Sequence, residues 1–222
     1  MMAWSTASRM VFASLVVAFV ATVRPAVGAE PSPDARRPIV KSELRVIVRS
    51  AGYVDALRRQ AGERPAPQPI ARPLAGDLWL ICVIDRPRQI NMLTDRDLDT
   101  LGLSQDEAIA LGTQNVAAAL PPGSAVITPL WPRNGIGYVT GHFYESSRLL
   151  LHEDWSALSQ QMSGHLVVAV PVPEGVLYIE GKGPADLAAL ARVAEATAKD
   201  DPRKISTQLL RWVPDGWEVV NP

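Results

Sequence analysis

Alternating apolar and polar positions mark a series of short strands along this chain, and most of these strands come in pairs. β-Branched and aromatic side chains crowd the strand segments, as half-buried strands require. Each pair meets at turn-forming residues, and Asn134-Gly135 is the strongest of these hairpin signals. The predicted hairpins join residues 78–84 to 89–93, 125–131 to 136–140, 166–170 to 176–180, and 207–213 to 217–220, and a further strand is predicted at 44–49.

Apolar residues at helical spacing predict helices between these hairpins. Ser104-Gln105-Asp106-Glu107 is a capping box, from which a helix should run to about Leu120. Further helices are predicted at 95–101, 147–162 and 186–198, and Ser146 or Ser147 is expected to cap the second of these. Because hairpins produce antiparallel neighbours, we predict an α+β fold: a mostly antiparallel sheet of successive hairpins with the intervening helices packed on it.

Residues 1–29 have the pattern of a cleaved export signal. Arg9 precedes an apolar run at residues 10–23, and small side chains at 27–29 predict cleavage before Glu30. The run is shorter than the about 20 residues that a membrane span needs, so we expect no membrane anchor in the mature chain. No twin-arginine pair precedes the run, which favours a Sec-type route. The sequence therefore predicts a periplasmic or secreted protein.

Two polar, proline-rich segments divide the rest of the chain. Residues 30–42 are predicted to be a disordered lead-in, and residues 62–73 a surface loop. We predict that residues 43–222 form a single α+β domain. A chain of this length can bury roughly 70% of its unfolded surface, so it needs no disulfide or metal for stability.

Charge and cysteine content exclude several classes of function. The chain has 22 Lys and Arg against 23 Asp and Glu, a net charge of −1, so no basic footprint for nucleic acid or an anionic membrane is present. The single cysteine, Cys82, lies in an apolar strand, where we expect a buried, unreactive thiol. No catalytic or cofactor motif stands out, and we predict no cofactor.

Six strings of residues carry a family resemblance, at 46–50, 77–85, 108–116, 146–150, 167–171 and 205–210. Together they resemble the YtpQ-like family of uncharacterised bacterial proteins. The resemblance runs from about Glu43 to Val220 and implies an α+β domain, but no reaction. The chain departs from the family pattern at Val172-Pro173-Glu174-Gly175, where members tend to carry a polar stretch that closes on an acid, and in its export signal.

Two enzyme-like arrangements compete with structural roles for the same residues. Ser147 and His152 could form part of a hydrolase site, but helical spacing turns them about 140° apart and no Gly-x-Ser-x-Gly elbow is present. Acids around Asp85 could act in acid–base catalysis, although a turn-forming role for Asp85 is the favoured interpretation. The histidines, with Glu145, Glu153 and Asp154, fit no ligand spacing, so we predict no metal site, and 152–154 is expected to be a solvated helix face.

Three polar residues in apolar surroundings are the candidate ligand-binding residues. Arg49 ends a strand, Asn115 lies between apolar positions of the capped helix, and Arg148 begins the next predicted helix. Together they could form a pocket for an anionic group, whereas Asn115 could instead bond to backbone. We therefore expect a non-catalytic binding or accessory module of the cell envelope, with an envelope protein or a small anionic ligand as partner. A hydrolase-like enzyme is the alternative, and pairing of an edge strand with another chain is a third possibility.

Overall fold

The computed structural model describes residues 37–61, 67–123, 127 and 135–222. The predicted export signal, its cleavage site and the strand predicted at 125–131 lie outside these residues, except for Ile127. The described residues belong to one unit that spans Arg37–Pro222. None of the helices within these ranges is long and apolar enough to cross a membrane.

Nine strands and five α-helices make up the described part of the chain, and their arrangement confirms the predicted α+β class. The strands are β1 (Leu44–Ser50), β2 (Ala71–Ala75), β3 (Leu78–Arg86), β4 (Gln89–Met92), β5 (Ile136–Thr140), β6 (Leu166–Val172), β7 (Gly175–Glu180), β8 (Leu209–Val213) and β9 (Gly216–Val220). The helices are α1 (Ala51–Ala61), α2 (Asp95–Leu101), α3 (Gln105–Ala119), α4 (His152–Gln161) and α5 (Pro184–Ala198), with 3₁₀ helices at Lys41–Glu43 and Glu145–Leu150.

The strands form two antiparallel sheets rather than one. In the first sheet β3 is central: β1 lies along one side, and β2 and β4 share the other. The second sheet has the order β5-β7-β6-β8-β9. Three of the predicted hairpins are confirmed, namely β3–β4, β6–β7 and β8–β9. The fourth predicted hairpin has its second strand in place as β5, which pairs with β7.

Strand β2 corrects the predicted loop at 62–73, because it begins at Ala71 and pairs with the first half of β3. Pro73 argues against a strand at the sequence level, because proline has no backbone amide proton to donate to a sheet ladder. It is accommodated here because β2 is an edge strand whose register shifts between Pro73 and Ala75. The predicted lead-in needs a similar correction, as its last two residues belong to the 3₁₀ helix Lys41–Glu43.

Three hydrophobic clusters hold the layers together. The largest joins the facing sides of the two sheets, with Val46 and Val48 on β1 and Val168 and Val170 on β6. The second packs α5 against the outer side of the second sheet. The third covers the other side of the first sheet with side chains from α1, α3 and Tyr144. Both sides of each sheet are thus buried in the central strands, which explains the fully apolar segments of β3 and β6.

The segment before α4 differs from its prediction. The α-helix begins at His152 instead of residue 147, and the preceding 3₁₀ helix Glu145–Leu150 carries both serines. Ser147 is fully buried and its hydroxyl has no hydrogen-bond partner among the described residues, so Ser147 caps nothing. By contrast, the Ser104 box is confirmed: Ser104 Oγ accepts from the Glu107 amide at 3.2 Å, and the Glu107 carboxylate accepts from the Ser104 amide at 2.7 Å.

Candidate functional site

Arg148 lies in a buried ion network. Its Nε donates to Glu145 Oε2 at 2.8 Å and its Nη1 donates to Asp154 Oδ2 at 2.6 Å. The side chains of Arg148 and Glu145 are 0% and 1% exposed, so water cannot replace these bonds. Burial alone lowers the pKa of Arg148, but the bonds to the two carboxylates outweigh it and raise that pKa. A guanidinium neutralised on two sides has little capacity left for an external anion.

Two tryptophans fix the backbone around this network. Trp155 Nε1 donates to the Arg148 carbonyl at 2.8 Å, and Trp217 Nε1 donates to the Leu149 carbonyl at 2.9 Å. The two indoles meet edge to face, with ring centroids 5.9 Å apart. The 3₁₀ helix is therefore clamped between α4 and the second sheet, which gives Arg148 and its acids a structural role. Asp154 joins this network, which corrects the expected solvated face at 152–154.

Asn115 also has a structural role. Its Nδ2 donates to the carbonyls of Lys41 and Leu44, each at 3.0 Å. These bonds tie α3 to the 3₁₀ helix Lys41–Glu43 and to the beginning of β1. The side chain is half-buried, and both of its amide protons are satisfied by backbone. This geometry agrees with the backbone-pairing alternative that the sequence left open.

Arg49 lies in a different setting, at the end of β1. Its guanidinium carbon is 5.9 Å from the ring centroid of Tyr53 and 6.0 Å from that of Phe143. Both rings are unusually accessible for aromatic side chains, at 38% and 37% exposed. Nη1 donates to the Val48 carbonyl at 2.8 Å, which fixes the side chain against its own strand. We call Arg49, Tyr53 and Phe143 the Arg49 surface.

The Arg49 guanidinium forms no ion pair among the described residues, although charged side chains lie near it. Burial lowers the pKa of Arg49, opposed by Tyr53 and by the Glu174 carboxylate. Glu174 is itself bonded to Arg203, which also pairs with Asp201 at 3.1 Å. The β6–β7 turn that carries Glu174 is thus close to Arg49 but engaged elsewhere. The sequence pattern did not point to Tyr53, because α1 was not predicted, or to Phe143, which lies outside every predicted element.

The three predicted ligand-binding residues do not share one pocket. Asn115 bonds to Leu44, at the opposite end of β1 from Arg49. Five strand steps of about 3.3 Å separate those ends by roughly 16 Å. Arg148 is enclosed by its own carboxylates. Of the three, Arg49 alone combines a half-buried position with a charge that forms no ion pair among the described residues.

The structure places the residues of the enzyme alternatives in different surroundings. Ser147 is 0% exposed, so its hydroxyl cannot meet a substrate in this conformation. His152 instead packs near Trp212 and Trp217, with centroid distances of 6.4 and 6.2 Å. The Asp85 carboxylate lies beside the buried Tyr144 ring, and burial together with Asp85 raises the pKa of Tyr144. That hydroxyl is therefore a poor proton donor at neutral pH.

Cys82 is buried in β3, and burial raises the pKa of its thiol to about 12. The thiolate that would react or bind metal is consequently scarce at neutral pH. Within the residues that the structure describes, no three His, Cys, Asp or Glu side chains are grouped as metal ligands.

No protein-family model, curated protein or solved structure matches this chain. The resemblance to the YtpQ-like family therefore stays a prediction.

Proposed function

We propose that this protein is a non-catalytic binding module of the cell envelope, and that the Arg49 surface binds a carboxylate of a protein partner. One observation carries the proposal: two aromatic rings flank the Arg49 guanidinium, which forms no ion pair among the described residues. The buried arginines of the described chain, Arg86 and Arg148, are by contrast neutralised by Glu43 and by Glu145 with Asp154.

The chemistry of the Arg49 surface suits a carboxylate. A guanidinium is planar and presents its donors as a fork that matches the two oxygens of a carboxylate. The flanking rings of Tyr53 and Phe143 stabilise the cation through their faces and would keep water from the bound pair. Arginine and tyrosine are also the side chains that most often dominate binding energy at protein interfaces. A protein partner that inserts an acidic side chain would cover both exposed rings.

The envelope location follows from the predicted export signal at residues 1–29. An exported binding module meets its partners outside the cytoplasm, so the partner is sought among envelope proteins. A small anionic ligand at Arg49 is the competing outcome, and the experiment below distinguishes the two.

Photo-crosslinking in the native host tests the proposal. A photoreactive phenylalanine analogue replaces Tyr53 or Phe143, and the matched control carries it at Ile90, which is 39% exposed on β4. We expect discrete protein adducts from positions 53 and 143 but not from 90. Adding Arg49→Ala should abolish these adducts, Arg49→Lys should weaken them, and Arg59→Ala on the exposed side of α1 should leave them unchanged.

Two results would contradict this function. Adducts of equal intensity from all three positions would indicate non-specific proximity. Adducts that persist with Arg49→Ala would show that the guanidinium does not recognise the partner. A mass increase of a few hundred daltons on the purified protein, lost with Arg49→Ala and without any protein adduct, would favour a small anion instead.

A further inference from the structure

A cleft lies where the two sheets meet, away from the aromatic rings of the Arg49 surface. It occupies about 850 Å³ between the end of α5, the loop that follows it and the β2–β3 turn. Its volume falls within the range of about 300–1,000 Å³ that small-molecule sites occupy. No sequence motif indicates this cleft, because its walls come from four separate segments of the chain.

One wall of the cleft is held by a set of hydrogen bonds centred on Asp77. Ser206 Oγ donates to Asp77 Oδ1 at 2.6 Å, and the Asp77 amide donates to Gln208 Oε1 at 2.9 Å. The Asp77 carbonyl accepts from the Ala51 amide at 2.7 Å. The Ser206 amide donates to the Val170 carbonyl at 3.1 Å, which ties this wall to β6. These bonds preorganise the wall, so a ligand would not have to order it.

Cationic side chains outnumber acidic ones around the cleft. Arg192, Lys199 and Lys204 line it, and the structure pairs none of the three with an acid in the described residues. The opposing charges are Asp77, whose carboxylate accepts from Ser206, and Glu195. All three cations are exposed at the rim, so their charges are available to a ligand in the cleft.

We propose that this cleft binds a small, multiply charged anion, whose charged groups are phosphates or carboxylates. Lys199 and Lys204 act as point charges on flexible stems, and Arg192 offers a planar donor fork. The hydroxyls of Ser50 and Thr207 add short-range donors to the same lining. This site is independent of the carboxylate bound at the Arg49 surface.

Isothermal titration calorimetry on the mature protein tests this assignment, with inorganic pyrophosphate and citrate as separate probes at constant ionic strength. We expect one anion per chain, and the stronger of the two probes identifies phosphate or carboxylate chemistry. Lys199→Gln with Lys204→Gln should weaken binding by about tenfold, because two charges close to the ligand are lost. Arg192→Gln should weaken it less, since one charge is removed.

Lys41→Gln is the matched control, because Lys41 is exposed on the 3₁₀ helix before β1 and does not line the cleft. It should bind both probes as the unaltered protein does. No saturable binding of either anion, or an equal loss with Lys41→Gln, would overturn the proposal. Unchanged binding by the double variant, with its fold verified by circular dichroism, would overturn it as well. None of these outcomes depends on the crosslinking result at Tyr53.

Discussion

Replacing Arg148 with methionine should be the most damaging single change among the polar residues considered. Methionine keeps the length and apolar stem of arginine but removes its charge. Glu145, whose side chain is only 1% exposed, then loses the guanidinium that neutralises it. Breaking a buried ion pair from one side costs about 3–5 kcal/mol, because the remaining charge stays desolvated. For a domain of this size, such a loss lowers Tm by about 6–20 °C.

Urea unfolding followed by tryptophan fluorescence measures this cost. Trp155 bonds to the Arg148 carbonyl, so its share of the summed tryptophan emission should change when this region unfolds. Arg59→Met is the control, since Arg59 is exposed on α1 and should change the free energy of unfolding by less than about 0.5 kcal/mol. The slope of the free energy against urea should stay constant, which would show that the compactness of the two states is unchanged.

A second variant separates charge burial from lost packing. Adding Glu145→Gln to Arg148→Met removes the stranded carboxylate, so the double variant should recover about 1–3 kcal/mol relative to Arg148→Met. The reasoning is refuted if Arg148→Met lies within about 1 kcal/mol of the unaltered protein. It is also refuted if Glu145→Gln brings no recovery, because the cost would then come from the cavity alone.

Three further predictions concern packing and reactivity. Cys82, whose thiol pKa burial raises to about 12, should resist a thiol reagent at pH 8 in the folded protein and react fully in urea; rapid native labelling would contradict its burial. Gly112→Ala should destabilise the protein in urea unfolding despite the helix preference of alanine, because its Cβ would lie 3.1 Å from the Arg45 carbonyl carbon; a gain in stability would show that α3 can shift. Asn115→Ala should cost about 1–2 kcal/mol in the same assay, since the carbonyls of Lys41 and Leu44 each lose one of their hydrogen bonds; no loss would contradict a structural role.

Local signals in the sequence were sufficient for most elements. The Ser104 capping box, Gly102 after α2 and Pro184 at the first turn of α5 act on neighbouring residues, so each can be identified without the fold. The division of the strands between two sheets could not be predicted in this way. It depends on the pairing of β3 with β1 on one side and with β2 and β4 on the other. The pairing with β1 joins segments that are distant in the sequence.

Candidate sites were harder to predict for the same reason. The spacing of Glu145 and Arg148 is equally common on a solvated helix face, and only the packing of Trp155 and Trp217 makes it a buried network. Ser147 illustrates the converse case: a serine beside acids and a histidine suggests catalysis, yet the 3₁₀ helix turns its side chain into the core. Burial decides the role of each polar residue, and burial is a property of the whole fold.

The end of β1 shows how one short segment can serve two surfaces. Successive residues of a strand point to opposite sides of its sheet. Arg49 pairs across the ladder with Trp79, on the side covered by α1, whereas Ser50 pairs with Leu78, whose side chain belongs to the cluster shared with the second sheet. Arg49 therefore reaches the aromatic surface and Ser50 reaches the basic cleft, although they are neighbours. Because the two sites lie on opposite sides of the first sheet, substitutions at Arg49 and at Lys204 should affect their respective ligands separately.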